Sequence, residues 1–202
     1  MKSGAARISE TAFISTETFT QKTFKRWVEN RPMGDINRYE LASGRILMTP
    51  PAAWEHAKIE AKVIRILEDF VSTHNLGTVF GSSAGYELPS GDTLEPDASF
   101  IGRERWSKGP HPRRGQFLKI APNLVVEILS PATAQRDRID KKRVYEANRV
   151  DEYWVVDPHR KQIVAFHLVA GKYDVGTRFE AHQKLHSQIL VGLEVLARFF
   201  FV

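Results

Sequence analysis

Apolar residues recur at helical spacing between Trp54 and about His74. They stand three or four positions apart, which is the pattern of a buried face on an amphipathic helix. The residues on this face are Ile59, Val63, Ile66, Leu67, Phe70 and Val71. A shorter helix is predicted from a Thr20 cap to about Asn30, and a charged helix is predicted over residues 133–148.

Shorter runs rich in β-branched and aromatic residues predict strands. Two of them, at 38–41 and 45–48, flank Ser43-Gly44 and predict a β-hairpin. The others lie at 78–81, 85–88, 97–101, 124–129, 152–156, 162–169 and 173–176. The basic stretch 103–116 contains Gly and Pro and is predicted to be a mobile loop, whereas 193–201 is predicted to be a short packed helix. This order indicates an α/β (α+β) fold with a central mixed β-sheet flanked by helices.

The composition narrows this picture to one soluble domain. Of the 202 residues, 42% are hydrophobic and 26% are charged, which is typical of a globular protein. We expect a loose N-terminal arm over residues 1–17 and a single domain over residues 18–202. The chain has no apolar run that predicts a signal peptide or a membrane span. It has no cysteine, which excludes disulfides and cysteine-based zinc sites and fits a cytoplasmic location.

The net charge of +5 favours a polyanionic partner, although solubility alone also explains it. Lys and Arg cluster in 103–114 and in 136–149. Both clusters lie close in sequence to the acidic residues considered next. A basic surface around an acidic pocket suits a metal-dependent enzyme that acts on nucleic acid, because phosphates are attracted while the metal ligands stay ionised.

Two carboxylates stand in or beside apolar strands. Glu127 interrupts the strand at 124–129, where an unpaired buried carboxylate would be costly unless a metal ion or a cationic group balances it. Alternatively, Glu127 faces solvent. Asp97 begins a neighbouring strand, and two such carboxylates can bind one Mg²⁺. Taken singly, Asp97 is more typical of a turn residue beside Pro96.

Lys141 lies on the predicted helix that follows the strand of Glu127. It could orient a metal-bound water or stabilise charge on a phosphate, or it could simply belong to a solvated helix face. Ser130 precedes a proline and has the pattern of a turn residue rather than of a nucleophile. Three aromatic residues could form a base-stacking platform, although their apolar surroundings favour a core position. These are Tyr145, Tyr153 and Trp154.

The segment LVVEILSPATAQRDRIDKKRVYEANRVDEYWVVDP at 124–158, with Pro96-Asp97 before it, resembles the Uma-type restriction endonucleases. That family belongs to the PD-(D/E)XK nuclease-like superfamily. The hairpin at 39–50, the following His56 and the closing segment at 187–193 also resemble its patterns. The resemblance extends over about 19–200 and implies a restriction-endonuclease-like fold.

The resemblance implies that Asp97 and Glu127 are metal ligands. Leu129 stands where the plain superfamily motif has a lysine, and the Uma-type pattern places the lysine on the next helix, at Lys141. It further implies that Glu40 and His56 lie near the site, where Glu40 could reach the metal through water and His56 could contact a substrate phosphate. The alternatives are an exposed hairpin carboxylate and a histidine at a helix N-terminus.

The function implied by the resemblance is a metal-dependent endonuclease that hydrolyses DNA phosphodiester bonds with Mg²⁺ or Mn²⁺. A homodimer is expected, because cutting both strands needs two sites. The apolar residues 199–201 could serve the dimer interface or fill the core. Two alternatives stay open. One is a non-catalytic nucleic-acid-binding or structural relative that retains the nuclease fold, and the other is an enzyme that uses this pocket on a different phosphate-containing substrate.

Overall fold

The computed structural model describes residues 12–130 and 137–201, with the backbone alone at 137 and 138. The helices are α1 (Gln21–Glu29), α2 (Trp54–Thr73), α3 (Arg103–Lys108) and α4 (Lys142–Ala147). As predicted, the hydroxyl of Thr20 caps α1 by accepting from the backbone amide of Thr23. A wide π-helical turn at Asp137–Lys141 leads into α4. The start of the helix predicted at 133–148 lies outside the described residues.

The strands largely follow the predicted segments. They are β1 (Phe13–Ile14), β2 (Arg38–Ala42), β3 (Arg45–Thr49), β4 (Gly77–Gly81), β5 (Tyr86–Glu87), β6 (Thr93–Leu94), β7 (Ala98–Gly102), β8 (Leu124–Ile128), β9 (Glu152–Asp157), β10 (Gln162–Val169), β11 (Lys172–Tyr173), β12 (Thr177–Glu180), β13 (Lys184–His186) and β14 (Glu194–Leu196). The turn between β2 and β3 has positive φ at Ser43 and Gly44, as a two-residue hairpin turn requires.

The central sheet has the strand order β11–β10–β9–β8–β7–β4, and β12 also pairs with β10. Strands β8 and β9 run parallel, whereas their other neighbours in the sheet run antiparallel. The sheet is therefore mixed, as the sequence predicts. A smaller sheet of order β1–β3–β2–β6–β5 is built around the N-terminal hairpin.

Two apolar cores sandwich the central sheet. Helix α2 covers one face with Ile59, Val63, Leu67 and Val71, and the C-terminal Phe200 and Phe201 pack in the same core. On the other face, Val144 and Tyr145 of α4 pack with residues of the smaller sheet. The long amphipathic helix of the sequence therefore has the predicted buried face. None of the described helices combines the length and the apolar character needed to cross a membrane.

Three segments differ from the prediction or refine it. The basic stretch predicted as a loop begins with α3, whose Lys108 and Glu104 pair one turn apart before Pro110 interrupts the helical pattern. The predicted C-terminal helix is wrong over most of its length. Instead, β14 pairs with β13, and a single 3₁₀ turn at Ala197–Phe200 follows. Strand β1, which pairs with β3, lies within the predicted arm, and residues 1–11 lie outside the described residues.

Candidate active site

Asp97 and Glu127 lie at facing ends of two adjacent central strands. Ala98 of β7 pairs with Val126 of β8, and the same register brings Asp97 opposite Glu127 one residue further. Both carboxylates are buried, with 3% and 2% exposure, and both line one cavity of about 740 Å³. The solvent-facing alternative for Glu127 is therefore wrong. The two carboxylates share one cavity, which opens to solvent.

Glu127 receives two donors on the same oxygen. Lys141 Nζ donates to Glu127 Oε1 over 3.0 Å, and the Tyr145 hydroxyl donates to the same atom over 2.6 Å. Lys141 Nζ also lies 2.9 Å from Glu40 Oε2. Because Lys141 is buried, with 5% exposure, the solvated-face alternative for this residue is wrong. The lysine joins the carboxylates of two different sheets at the wall of the cavity.

A second set of contacts surrounds Asp97. The backbone amide of Ile128 donates to Asp97 Oδ2 over 2.8 Å, and His56 Nε2 lies 3.2 Å from the same oxygen. Arg38 Nη1 is 3.4 Å from Asp97 Oδ1. His56 stands in the first turn of α2, so that helix delivers a partly buried imidazole to the strand end. The five residues predicted for the site, Glu40, His56, Asp97, Glu127 and Lys141, therefore line one cavity.

The charges of the pocket shift its pKa values in opposite directions. Burial would raise the pKa of Asp97, but the hydrogen bond and charge of His56 lower it below the ordinary value. Burial would lower the pKa of His56, but the hydrogen bond and charge of Asp97 outweigh burial and raise this pKa. Burial would also lower the pKa of Arg38, but nearby carboxylates raise it. Asp97 therefore stays ionised in a buried place.

The acidic side of the pocket is crowded. The backbone amide of Glu95 donates to Glu40 Oε1 over 2.8 Å. Burial, followed by the charge of Glu40, raises the pKa of the Glu95 carboxyl to about 7. Burial and the charges of Glu127 and Glu40 also raise the pKa of Tyr145 well above its usual range, so its hydroxyl remains a neutral donor. The carboxylates repel one another, and the charges of Arg38 and Lys141 offset part of this repulsion.

The basic segment 103–114 does not surround this pocket. It follows the C-terminal end of β7, whereas Asp97 precedes the N-terminal end, and a five-residue strand separates the two by about 17 Å. No residue of this described segment lines the cavity. Arg38, Lys141 and His159 provide cationic or titratable groups at the cavity instead. The expectation of a basic surface around the acidic pocket is therefore wrong for this segment.

Sequence reasoning missed three contributors to the site. Arg38 begins a strand and is 59 positions from Asp97, a pairing that no local pattern indicates. Tyr145 is buried with Tyr153 and Trp154, which confirms a core position over base stacking, yet its hydroxyl also holds Glu127. Glu60 lies near His56 and Asp97. The spacing of four between His56 and Glu60 on a predicted helix could have indicated Glu60.

Comparison with known proteins identifies the family. Residues 22–198 match Uma2, whose description is "Putative restriction endonuclease". The chain belongs to the Uma2 family. A crystal structure of a "putative nuclease belonging to DUF820 from Anabaena variabilis ATCC 29413" is similar, with a TM-score of 0.73 and 18% sequence identity. The match covers 91% of this chain and 97% of that one. No curated protein matches the chain.

The solved relative confirms the predicted fold class of this Uma2 member, since the mixed sheet and its flanking helices are shared. The donor chemistry of the cavity also fits a divalent cation. Mg²⁺ and Mn²⁺ prefer carboxylate oxygens, and a ligand must be deprotonated to bind. Asp97 meets this condition through its lowered pKa. Glu127 lies on the next strand and lines the same cavity.

Proposed function

We propose that this Uma2 protein is a metal-dependent endonuclease that hydrolyses DNA phosphodiester bonds, with Mg²⁺ or Mn²⁺ held by Asp97 and Glu127. One observation carries the proposal. Two buried carboxylates on facing strand ends line one cavity, and a buried lysine lies 3.0 Å from one of them. A structural ion pair would not need the open cavity beside it. Asp97 and Glu127 would hold the divalent cation, which would supply polarisation of the scissile phosphate and a lower pKa for the attacking water.

The residues around the carboxylates hold them in place. The hydroxyl of Tyr145 and the ammonium of Lys141 fix one oxygen of Glu127. The backbone amide of Ile128 fixes one oxygen of Asp97. Such preorganised donors keep both carboxylates oriented before substrate arrives. In this proposal Lys141 also stabilises the charge that develops on the phosphate, and Glu40 keeps its ammonium at the cavity wall.

Two further groups suit the approach of a phosphate. Arg38 and His56 both line the cavity and both flank Asp97. A guanidinium and a protonated imidazole can each donate to phosphate oxygens. We assign His56 a role in contacting substrate phosphate, and DNA is the proposed substrate because the chain carries a net charge of +5. We also propose that two copies act together, because cutting both strands needs two sites.

A plasmid-nicking assay with Mg²⁺ and with Mn²⁺ tests this function. We expect the near-isosteric variants Asp97→Asn and Glu127→Gln to lose nicking by about 10³-fold or more, because each removes a charged ligand. The matched control is Asp69→Asn on α2, because the side chain of Asp69 is 71% exposed and does not line the cavity. Circular dichroism of each variant checks that the fold is retained.

Three outcomes would contradict the proposal. Nicking that persists unchanged in Asp97→Asn and Glu127→Gln would place the reaction elsewhere. Wild-type protein that binds DNA but nicks it with neither metal would favour the non-catalytic nucleic-acid-binding relative. A protein that hydrolyses small phosphodiesters and leaves DNA intact would instead favour a different phosphate substrate.

A further inference from the structure

The basic segment 103–114, which lies apart from the candidate active site, lines a groove of its own. The groove has a volume of about 730 Å³, close to the 740 Å³ of the active-site cavity. It lies at the end of the central sheet where β7 leads into α3. Lysine and arginine side chains line it from α3 and from the chain that precedes β8, so charges that are distant in sequence meet there. These residues are Arg103, Arg105, Lys108 and Lys119.

The described residues that line this cationic groove carry an excess of positive charge. Four of them are lysine or arginine and one, Glu104, is acidic, which leaves an excess of three positive charges. The active-site cavity has the opposite balance, because four carboxylates line it beside one arginine and one lysine. Its carboxylates are those of Glu40, Glu55, Asp97 and Glu127. A polyanion is therefore attracted to the groove, whereas the carboxylates of the cavity oppose its approach.

Hydrogen bonds of Arg105 hold this part of the chain in place. Its Nη1 donates to the backbone carbonyl of Pro122 over 2.7 Å, and its Nη2 donates to Asp151 Oδ2 over 2.8 Å. Asn123 Nδ2 donates to the same oxygen of Asp151 over 2.7 Å, and Asn123 Oδ1 accepts from the backbone amide of Gly102 over 2.9 Å. The carboxylate of Asp151 therefore anchors α3 and does not line the groove. The other cations of the groove are carried on a fixed support.

Three of the four cations are exposed and accessible to a ligand. The side chains of Lys108 and Lys119 are 72% and 60% exposed, and their acidic partners are Glu104 and Glu87. Arg103 is also exposed, and its Nη1 makes one long hydrogen bond, of 3.3 Å, to a backbone carbonyl. Exposed ion pairs contribute little to stability, so phosphate oxygens can replace these partners at little cost.

We propose that the cationic groove binds the phosphate backbone of DNA, as an anchor outside the reaction centre. Lysine and arginine side chains that neutralise phosphates release bound counterions, which gives affinity that does not depend on base sequence. Strand β7 separates the groove from the cavity by about 17 Å, the length of about five base pairs of B-form DNA. A duplex of more than about ten base pairs is long enough to contact both. The choice of DNA rests on the proposed function, whereas the attraction for a polyanion rests on the groove alone.

Fluorescence anisotropy of a labelled duplex of about 20 base pairs, measured in EDTA, tests the groove without catalysis. The groove variant combines Arg103→Gln, Lys108→Gln and Lys119→Gln, which remove charge and keep long polar side chains. We expect it to bind DNA at least about 30-fold more weakly than the wild type at about 50 mM salt. The slope of log affinity against log salt should fall in magnitude by about 3, because each phosphate contact contributes about 1. Lys108→Gln and Lys119→Gln, made singly, should each lower it by about 1.

The matched control removes the same charge from other places on the surface. It combines Lys161→Gln, Arg178→Gln and Lys184→Gln, three exposed positions that line neither the groove nor the cavity. Its affinity for DNA should fall by less than about threefold. Circular dichroism checks that both variants retain the fold, and the single variants replace the groove variant if it does not fold. Equal weakening in the control and the groove variant would mean that net charge alone attracts DNA, and it would overturn the groove.

Further outcomes separate the groove from the proposed reaction. Asp97→Asn should bind DNA at least as tightly as the wild type in EDTA, since it removes a negative charge from the cavity. Binding that is lost in Asp97→Asn but kept in the groove variant would overturn the groove. Wild-type protein that binds DNA through the groove and nicks it with neither metal would support the groove and overturn the endonuclease. Binding to phosphatidylserine vesicles that needs the groove, together with DNA binding that does not, would indicate a membrane surface as the partner and overturn this proposal.

Discussion

Two glutamates on neighbouring strands of the central sheet, Glu127 and Glu152, are buried in very different ways. Glu127 of β8 pairs with Val155 of the parallel strand β9. Glu152 lies three residues before Val155, which is about 10 Å along β9. Glu152 is fully buried. One of its carboxylate oxygens accepts a hydrogen bond from the indole N–H of Trp154, and the other accepts one from the hydroxyl of Ser187. The backbone amides of Gln188 and Ile189 also donate to this second oxygen.

The difference is between a carboxylate that the fold surrounds with hydrogen-bond donors and one that lines an open cavity. Glu152 accepts hydrogen bonds from neutral donors, including backbone amides, and lies beside the His167 imidazole. It fastens the loop at 187–190 to β9. Glu127 is held by the side chains of Lys141 and Tyr145 and lines a cavity with Glu40, whose charge also raises the pKa of the nearby Glu95. Crowded like charges cost stability, and active sites commonly carry such a cost. We therefore assign Glu152 to structure, whereas Glu127 has the role that the proposed function gives it.

The largest effect on stability should come from Glu152→Ala. The change leaves the donors of Trp154 and Ser187 without their acceptor in a buried place, so we expect a loss of about 3–5 kcal/mol in the free energy of unfolding. Urea denaturation followed by circular dichroism measures it. Glu194→Ala is the control, because this exposed residue has only a surface pair with Lys184 and should cost under about 1 kcal/mol. Equal losses in the two variants would break the comparison.

Glu95→Gln should stabilise the protein at neutral pH. The pKa of about 7 in the folded state lies above the ordinary 4.5, so the folded state binds the proton more tightly and loses stability as the pH rises from 4.5 to 7. Glutamine cannot ionise, and we expect it to recover about 1 to 3 kcal/mol at pH 8. Unfolding in EDTA at pH 8 and at pH 4.5 checks this. A gain that is the same at both pH values would contradict electrostatic crowding.

The sequence predicts this protein well where local pattern and burial coincide. The spacing of Ile59, Val63 and Leu67 predicts α2, and a carboxylate inside an apolar strand draws attention to Glu127. Family resemblance adds Lys141, which local pattern leaves on an ordinary charged helix. The inferences on α2 and Glu127 need only neighbouring residues, whereas the one on Lys141 needs the family pattern.

The parts that the sequence does not predict depend on distant contacts. Arg38 reaches Asp97 because the smaller sheet packs against a face of the central one. The basic segment 103–114 is close to Asp97 in sequence, yet an intervening strand carries it to the far end of the sheet. Strand direction, which composition does not encode, decides which charges meet.

The smallest effect should come from His167. Its imidazole belongs to the structural cluster around Glu152, which also contains Trp154 and Ser187. Its Nε2 lies 3.6 Å from Glu152 Oε1, and its Nδ1 lies 3.2 Å from Asp174 Oδ2. The interaction with Glu152, and then with Asp174, raises the pKa of His167 above the ordinary 6.5 although burial opposes this. The stabilisation is therefore fully present below pH 6.5 and is lost as the pH rises through the pKa of His167 in the folded state.

We expect the wild type to exceed His167→Gln in free energy of unfolding by about 1 kcal/mol more at pH 6 than at pH 9. Urea denaturation at the two pH values measures this difference. A constant difference between the two proteins would mean that His167 is neutral in the folded state, and the structural cluster would then rely on hydrogen bonds alone.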